Sequence, residues 1–244
     1  MFTNIAYTER YLERRRVLEA VFSPEYRIDE PETVCELNGD YSLRCRHYSG
    51  EVVGQRIEDA VKTDLLDKNG NTIYSWRCLD CDGSGNGGFL GFRWHAGGKS
   101  YLLFRRELYG YSVLEIETGR DFHYVPSCAY PGEGEEFDET FIWCSAAYEF
   151  DTGLLAASGC YWGCPYSTVV LDFSDSLAEH PADVWLNIVD VLPQGTHHGF
   201  HITPDRWENG ALILESFKEG MSRPELIRIP SDKLRAALDG RQEQ

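Results

Sequence analysis

The chain has 244 residues, of which 42% are hydrophobic and 13% aromatic, so it can bury a sizeable core and is not generally disordered. Its 23 basic and 40 acidic residues give a formal charge of −17. Such a surface repels phosphate backbones and anionic lipid headgroups, which argues against nucleic-acid and membrane partners. It suits a basic protein partner, or simply keeps the molecule in solution.

The N-terminal segment shows neither the uninterrupted apolar region nor the cleavage site of a secretory signal. No stretch approaches the ~20 apolar residues that a membrane span needs. We therefore expect a cytoplasmic protein whose eight cysteines are mostly thiols rather than disulfides.

The first predicted element is a helix over residues 5–22. Its apolar stripe would consist of Leu12, Val17, Leu18, Val21 and Phe22. The basic triplet Arg14–Arg16 lies in the middle of this helix, and we interpret it as a solvated face that pairs with the acidic body. Residues 1–32 are thus expected to hold the helix and a linker.

From residue 33 the pattern changes to the two-residue period of strands. Residues 61–78 are typical of a hairpin that turns at Asn69-Gly70. We interpret 33–230 as a β-repeat body and 231–244 as a short helix with a polar tail, all within a single domain, 1–244.

A larger unit recurs in this body. Residues 89–117, 141–173 and 200–229 each follow the order strand, short turn, strand, longer loop, strand, and 33–78 would be a more divergent first unit. The recurrence, after about 50–60 residues, lies within the range of propeller-type arrays.

The repeat predicts corresponding positions in the last three units. The short turns are expected at His95–Lys99, Asp151–Gly153 and Trp207–Gly210. The central strands should begin near Leu102, Leu154 and Leu212. The outer strands should centre on Leu114, Val170 and Ile227.

A single meander of three or four strands cannot cover both of its faces, so neighbouring meanders must pack together. We therefore predict an all-β, mainly antiparallel fold. It would be a β-propeller-like array of about four small meander sheets with an N-terminal helix. A β-sandwich is the alternative.

Two segments carry a resemblance to known proteins: "GCYWGCPYSTVVLDFSD" at 159–175 and "ELYGYSVLEIETGRDFHYVP" at 107–126. They resemble a family of uncharacterised bacterial proteins with propeller-like β-repeats. In that family a Gly-Cys-aromatic-Trp-x-Cys-Pro segment precedes a strand that ends in Asp-Phe. The likeness covers about residues 60–180. It implies a propeller-like fold in a bacterial protein, and it supplies no catalytic residues.

The stretch "SGCYWGCPYS" at 158–167 joins the central to the outer strand of its unit. The other units have "RRELYGYS" and "SFKEGMSRPE" there, without cysteine. Three interpretations stay open: a packed loop, a recognition tip with Tyr161 and Trp162 as anchors, and a zinc site. The zinc site would combine two cysteine pairs, Cys78/Cys81 and Cys160/Cys164.

Other chemical signals are weaker. Asp80, Asp82 and Ser84 begin like a calcium loop, but the acid at its last position is missing. In "THHGFH" at 196–201, His197 and His201 would lie ~13 Å apart in an extended chain, too far to share one ion. The carboxylates of 131–140 are more typical of a solvated loop, and no hydrolase, nucleotide-binding or metalloprotease motif is found. We therefore predict no catalytic residues, no cofactor and no metal.

The leading functional hypothesis is a non-enzymatic protein-binding module that presents aromatic loop tips to a protein partner. An acidic inhibitor or immunity-type protein that neutralises a basic enzyme is one version of it. The alternative is a zinc-binding enzyme or sensor that uses the four cysteines named above.

Overall fold

A computed structural model describes residues 3–28, 31–81, 86–94, 98–132, 134, 136–192, 201–217, 220 and 222–242. These residues form four small antiparallel sheets of three or four strands, with one helix near each end of the chain. The predicted all-β fold with about four meander sheets is confirmed. No helix in the described ranges is long and apolar enough to cross a lipid bilayer.

Each sheet is built from consecutive strands, and every strand pairs with its neighbour in the chain. The first sheet contains β1 Thr33–Asn38, β2 Tyr41–Val52, β3 Gln55–Asp67 and β4 Thr72–Cys78. The second contains β5 Phe89–Trp94, β6 Ser100–Phe104, β7 Tyr111–Glu115 and β8 Arg120–Tyr124. The third contains β9 Ile142–Tyr148, β10 Leu154–Cys160, β11 Ser167–Asp172 and β12 Leu186–Asn187. The fourth contains β13 His201–Trp207, β14 Ala211–Phe217 and β15 Glu225–Pro230.

The predicted hairpin turns lie between the expected strands. Asn69-Gly70 connects β3 to β4, with Gly70 at φ +82°. Asn209 and Gly210 both have positive φ, as a two-residue turn between twisted strands requires. The turn at Asp151–Gly153 is also present, whereas residues 95–97 of the predicted His95–Lys99 turn lie outside the described residues.

The repeat predicted from the sequence corresponds to the sheets. Leu102, Leu154 and Leu212 all lie in the second strand of their sheets and are fully buried. Their positions within those strands differ, being third, first and second. The third strands contain the other predicted markers, Leu114, Val170 and Ile227. The second and third sheets add a fourth strand, β8 and β12, that the repeat did not predict.

Three apolar cores join sheets that follow one another in the chain. Leu43 and Leu65 of the first sheet pack with Phe104 of the second. Tyr111 of the second sheet stacks on Trp143 of the third, with ring centroids 4.9 Å apart. The third core contains side chains of the third and fourth sheets and the leucines of the C-terminal helix. Among the described residues, these apolar cores therefore link the sheets in chain order, the first to the second, the second to the third and the third to the fourth.

The C-terminal helix, α2 Ser231–Gln242, agrees with the helix expected after residue 230. Leu234 and Leu238 lie four residues apart on this helix, and both are buried in the third core. The helix therefore covers apolar surface that the short, three-stranded fourth sheet shares with the third sheet.

The N-terminal helix is shorter than predicted and packs differently. The α-helix α1 spans Glu9–Leu18, and a 3-10 turn continues it over Glu19–Phe22. Leu18 and Val21 of the predicted apolar stripe pack on the first sheet, but Leu12 and Val17 are 46% and 38% exposed. The interpretation of the basic triplet as a solvated face is wrong for Arg15, whose side chain is only 3% exposed.

Arg15 is buried because it meets a buried acid from the second sheet. Its guanidinium donates a hydrogen bond of 2.8 Å to the carboxylate of Glu107, which is also 3% exposed. Two further hydrogen bonds reach the main-chain oxygens of Arg77 and Arg106, at 2.6 and 2.9 Å. Tyr11 donates a hydrogen bond of 2.9 Å to the same carboxylate. The Nε atom also lies 2.8 Å from the carboxylate of Glu19. Because the charge is paired with Glu107 and Glu19 and both terminal nitrogens donate hydrogen bonds, burying Arg15 is tolerable and attaches the helix to two sheets.

We expect Glu107→Gln to lower the free energy of unfolding by about 3 kcal/mol, because it removes the buried charge partner of Arg15 and leaves the guanidinium with only the partly exposed Glu19. Urea denaturation measures this change. The control is Glu13→Gln, since Glu13 forms an exposed ion pair with Arg16 on the same helix, and it should leave the unfolding midpoint unchanged. Equal effects of the two substitutions would contradict this account of Arg15.

Candidate functional site

The cysteine-rich loop after β10 is a tight turn with a tryptophan at its tip. The amide of Cys164 donates a hydrogen bond of 3.0 Å to the carbonyl oxygen of Tyr161, which closes a four-residue turn. Gly163 has φ +70°, the value that the third residue of a type II turn needs and that glycine adopts at little cost. The glycine thus explains the turn, and the turn places Trp162 at the outermost position.

The two predicted anchors of this loop have different surroundings. The ring of Tyr161 packs edge-on against the buried ring of Phe141, with centroids 5.6 Å apart, and is 37% exposed. Trp162 is 64% exposed, and its main-chain amide donates a hydrogen bond to the carboxylate of Glu139. Tyr161 therefore holds the loop on the third sheet, while the indole of Trp162 remains accessible.

Trp162 borders a cleft to which the first three sheets contribute. The connection between the second and third strands lies at the same end of each of these sheets. From these connections and the adjoining strand ends come Ile57, Glu58 and Asp59 of the first sheet, Leu108 and Tyr109 of the second, and Trp162 of the third. The cleft has a volume of about 720 Å³. We call it the aromatic cleft.

The aromatic cleft carries an excess of acid. Its lining includes four carboxylates, those of Glu58, Asp59, Asp80 and Glu107, and two guanidinium groups, those of Arg14 and Arg56. Arg56 pairs with Glu58 at 2.9 Å, and Arg14 lies over the ring of Tyr130. Glu107 is buried and paired with Arg15, so it adds little to the potential of the opening. Asp59, Asp80 and the nearby Glu139 give the opening its negative potential.

The tyrosines of this region stay protonated at neutral pH. Burial raises the pKa of Tyr109, and the charge of Glu139 raises it further. Burial likewise raises the pKa of Tyr161, with added contributions from Glu139 and Asp138. Both side chains therefore present neutral hydroxyl groups beside the carboxylates.

Sequence reasoning identified Trp162 and missed most of the cleft around it. Tyr109 lies in "RRELYGYS", the stretch that the repeat aligns with the loop of Trp162. This alignment could have indicated that Tyr109 lies at the same end of its sheet as Trp162. Arg14 and Tyr130 come from the N-terminal helix and from the segment after β8. No local pattern marks either residue, because only the tertiary fold brings them to the cleft.

The two cysteine pairs of the zinc hypothesis lie in different surroundings. Cys78 and Cys81 pack with Cys45 in a fully buried cluster. Cys160 borders a separate cavity of about 300 Å³, together with Cys144, and Cys164 is exposed. Among the residues that the structure describes, no group of three or more His, Cys, Asp or Glu side chains could hold a metal ion. The described geometry thus gives the zinc hypothesis no support.

The remaining sequence signals fall partly outside the described residues. Asp80 of the calcium-like loop borders the aromatic cleft, whereas Asp82 and Ser84 lie outside the described ranges. His197 and His198 lie outside them as well. His201 begins β13, and its ring accepts a hydrogen bond of 3.0 Å from the amide of Tyr166. That bond gives His201 a structural partner at the base of the loop.

Comparison with known proteins gives no family. The sequence matches no protein-family model, and no curated protein is a significant match to it. The resemblance to bacterial propeller-like proteins therefore stays a prediction.

We expect the thiols to differ sharply in reactivity. Ellman's reagent should modify the exposed Cys35 and Cys164 in the native protein, and Cys45, Cys78 and Cys81 only after unfolding. A hydrogen bond with Cys78, together with burial, raises the pKa of the Cys81 thiol well above its usual value, which leaves little reactive thiolate. Peptide mass spectrometry identifies the modified positions.

Metal analysis of protein purified without chelator completes this test. We expect less than about a tenth of an equivalent of zinc. One equivalent of zinc, with Cys78, Cys81, Cys160 and Cys164 protected until a chelator is added, would restore the zinc hypothesis.

Proposed function

We propose that this protein is a non-enzymatic protein-binding module whose aromatic cleft receives a basic segment of a partner protein. The observation that carries the proposal is the 64% exposure of Trp162 at the tip of a hydrogen-bonded turn. Tryptophan is among the residues that most often dominate the binding energy of interfaces. A rigid turn also limits the conformational entropy that such an anchor loses on binding.

Charge favours a basic partner. The aromatic cleft has more carboxylates than guanidinium groups, and the whole chain has a formal charge of −17. A lysine or arginine side chain in the cleft would meet these carboxylates and the face of the Trp162 indole, and both attract cations. The negative surface would also accelerate the encounter with a basic protein and oppose nucleic-acid and membrane partners.

An acidic inhibitor or immunity-type protein is a specific form of this proposal. Such a protein would cover a basic surface of an enzyme, with Trp162 as an anchor and carboxylates around it. We also propose a cytoplasmic location in a bacterial cell. All eight cysteines are free thiols in the structure, which is compatible with a reducing compartment.

Affinity capture from a native extract tests the proposal with three forms of the protein: wild type, Trp162→Ala and Phe150→Ala. Phe150 is a matched control because it is 51% exposed and lies in the β9–β10 turn, at the opposite end of the third sheet from Trp162. We expect wild type and Phe150→Ala to retain the same protein, and Trp162→Ala to lose it. Added salt should release the protein, because a basic partner would be held largely by charge.

Once the partner is purified, titration calorimetry gives the size of the effect. Loss of a central tryptophan should weaken binding by about 30-fold or more, which corresponds to ~2 kcal/mol. Tyr161→Ala should also weaken binding, because it removes the ring contact with Phe141 that holds the loop of Trp162 in place. Equal affinities of the wild type and Trp162→Ala for every retained protein would refute the proposed site.

A further inference from the structure

A row of basic side chains crosses the outer face of the first sheet. In the β2–β3 pair Arg46 lies directly opposite Lys62, and in the β3–β4 pair Lys62 lies directly opposite Arg77. Residues directly opposite one another on antiparallel strands project from the same face, and like charges in these positions repel. Such a row is unexpected for stability alone in a chain with a formal charge of −17.

Arg106 adds a fourth basic side chain beside this row. It follows β6 and lines a cavity of about 340 Å³ together with Lys62 and Arg77. Burial and the nearby charge of Arg15 lower the pKa of the Arg106 guanidinium, so its environment disfavours the positive charge. The cavity shares no lining residue with the aromatic cleft.

Most charges around the cavity are already compensated. Arg77 pairs with Glu19 at 2.7 Å, and Arg46 pairs with Asp64. Asp121, the second acid of the lining, accepts a hydrogen bond of 2.5 Å from Tyr74 and lies 3.4 Å from His123. Burial lowers the pKa of His123, which keeps its ring largely neutral at pH 7.

Lys62 and Arg106 carry the two remaining positive charges of the lining. Asp121 offsets part of them, because hydrogen bonds with His123 and Tyr74 and the charge of Arg106 lower its pKa to about 2 and keep it ionised. Among the described residues, neither the Lys62 ammonium nor the Arg106 guanidinium has a hydrogen bond or an ion pair. An unpaired guanidinium in a partly desolvated position costs free energy that a bound anion would recover. Both cations can face the oxygens of a phosphate monoester, which carries a charge of about −2 at neutral pH, although Asp121 offsets part of their positive charge.

We propose that this cavity binds the phosphate group of a small phosphorylated molecule, held by Lys62 and Arg106, with Arg77 beside them. A guanidinium can donate two parallel hydrogen bonds to phosphate oxygens, and the lysine ammonium adds a point charge. The cavity volume lies within the range of small-molecule sites, so the organic part of the ligand also has room. This site is independent of the proposed protein-binding function.

Thermal unfolding and titration calorimetry with inorganic phosphate test the proposal. Four forms are compared: wild type, Lys62→Gln, Arg106→Gln and Lys68→Gln, where Lys68 is an exposed lysine in the β3–β4 turn. Phosphate should raise the unfolding temperature of wild type and Lys68→Gln saturably, and more than sodium chloride does at equal ionic strength. Lys62→Gln and Arg106→Gln should bind phosphate about tenfold more weakly or worse.

Without phosphate, Arg106→Gln should be at least as stable as wild type, because the substitution removes like-charge repulsion. If Arg106→Gln fails to fold, Lys62→Gln decides the question, since Lys62 makes no described contact that folding requires. A phosphate effect no larger than that of chloride would overturn the proposal. An equal response of Lys62→Gln and Lys68→Gln to phosphate would overturn it as well.

Discussion

Each sheet of this protein is too small to bury both of its faces by itself. Leu102 and Leu103 are neighbours on β6 and point to opposite faces of the second sheet, yet both are at most 1% exposed. Leu102 packs against the first sheet and Leu103 against the third. Burial of a leucine contributes ~1.5–3 kcal/mol, and only neighbouring sheets provide it here. Because sheets stack in chain order, equivalent connections meet at one end, and the aromatic cleft is formed there.

Features encoded within a few residues could be predicted from the sequence. Asn209-Gly210 specifies its turn because asparagine and glycine accept positive φ more readily than other residues, and Gly70 does the same in the turn at Asn69-Gly70. The alternating strands and their recurrence likewise predicted the four meanders. The repeat also placed the loop of Trp162 between the central and outer strands of its unit, where β10 and β11 now flank it. Each of these features follows from residues close together in the chain or from their recurrence.

Features that depend on distant partners could not be predicted in this way. Arg15 looks like part of a solvated triplet until Glu107, 92 residues later in the chain, is placed beside it. The four cysteines of the zinc hypothesis form two close pairs in the sequence. In the fold, Cys78 and Cys81 lie in a buried cluster with Cys45. The acidic and aromatic composition of the cleft depends in the same way on three connections that only the stacked sheets bring together.

The contacts of Arg15 have a consequence for how this protein can change during evolution. Two of its hydrogen bonds end on main-chain oxygens, at positions 77 and 106, so they do not depend on which side chains occupy those positions. Mutations can therefore replace the side chains of Arg77 and Arg106, which line the cavity of about 340 Å³, while Arg15 keeps its main-chain hydrogen bonds to both positions. The side chains at positions 77 and 106 and the attachment of the helix can therefore change independently. A related chain can keep the hydrogen bonds of Arg15 and still have a different cavity beside them.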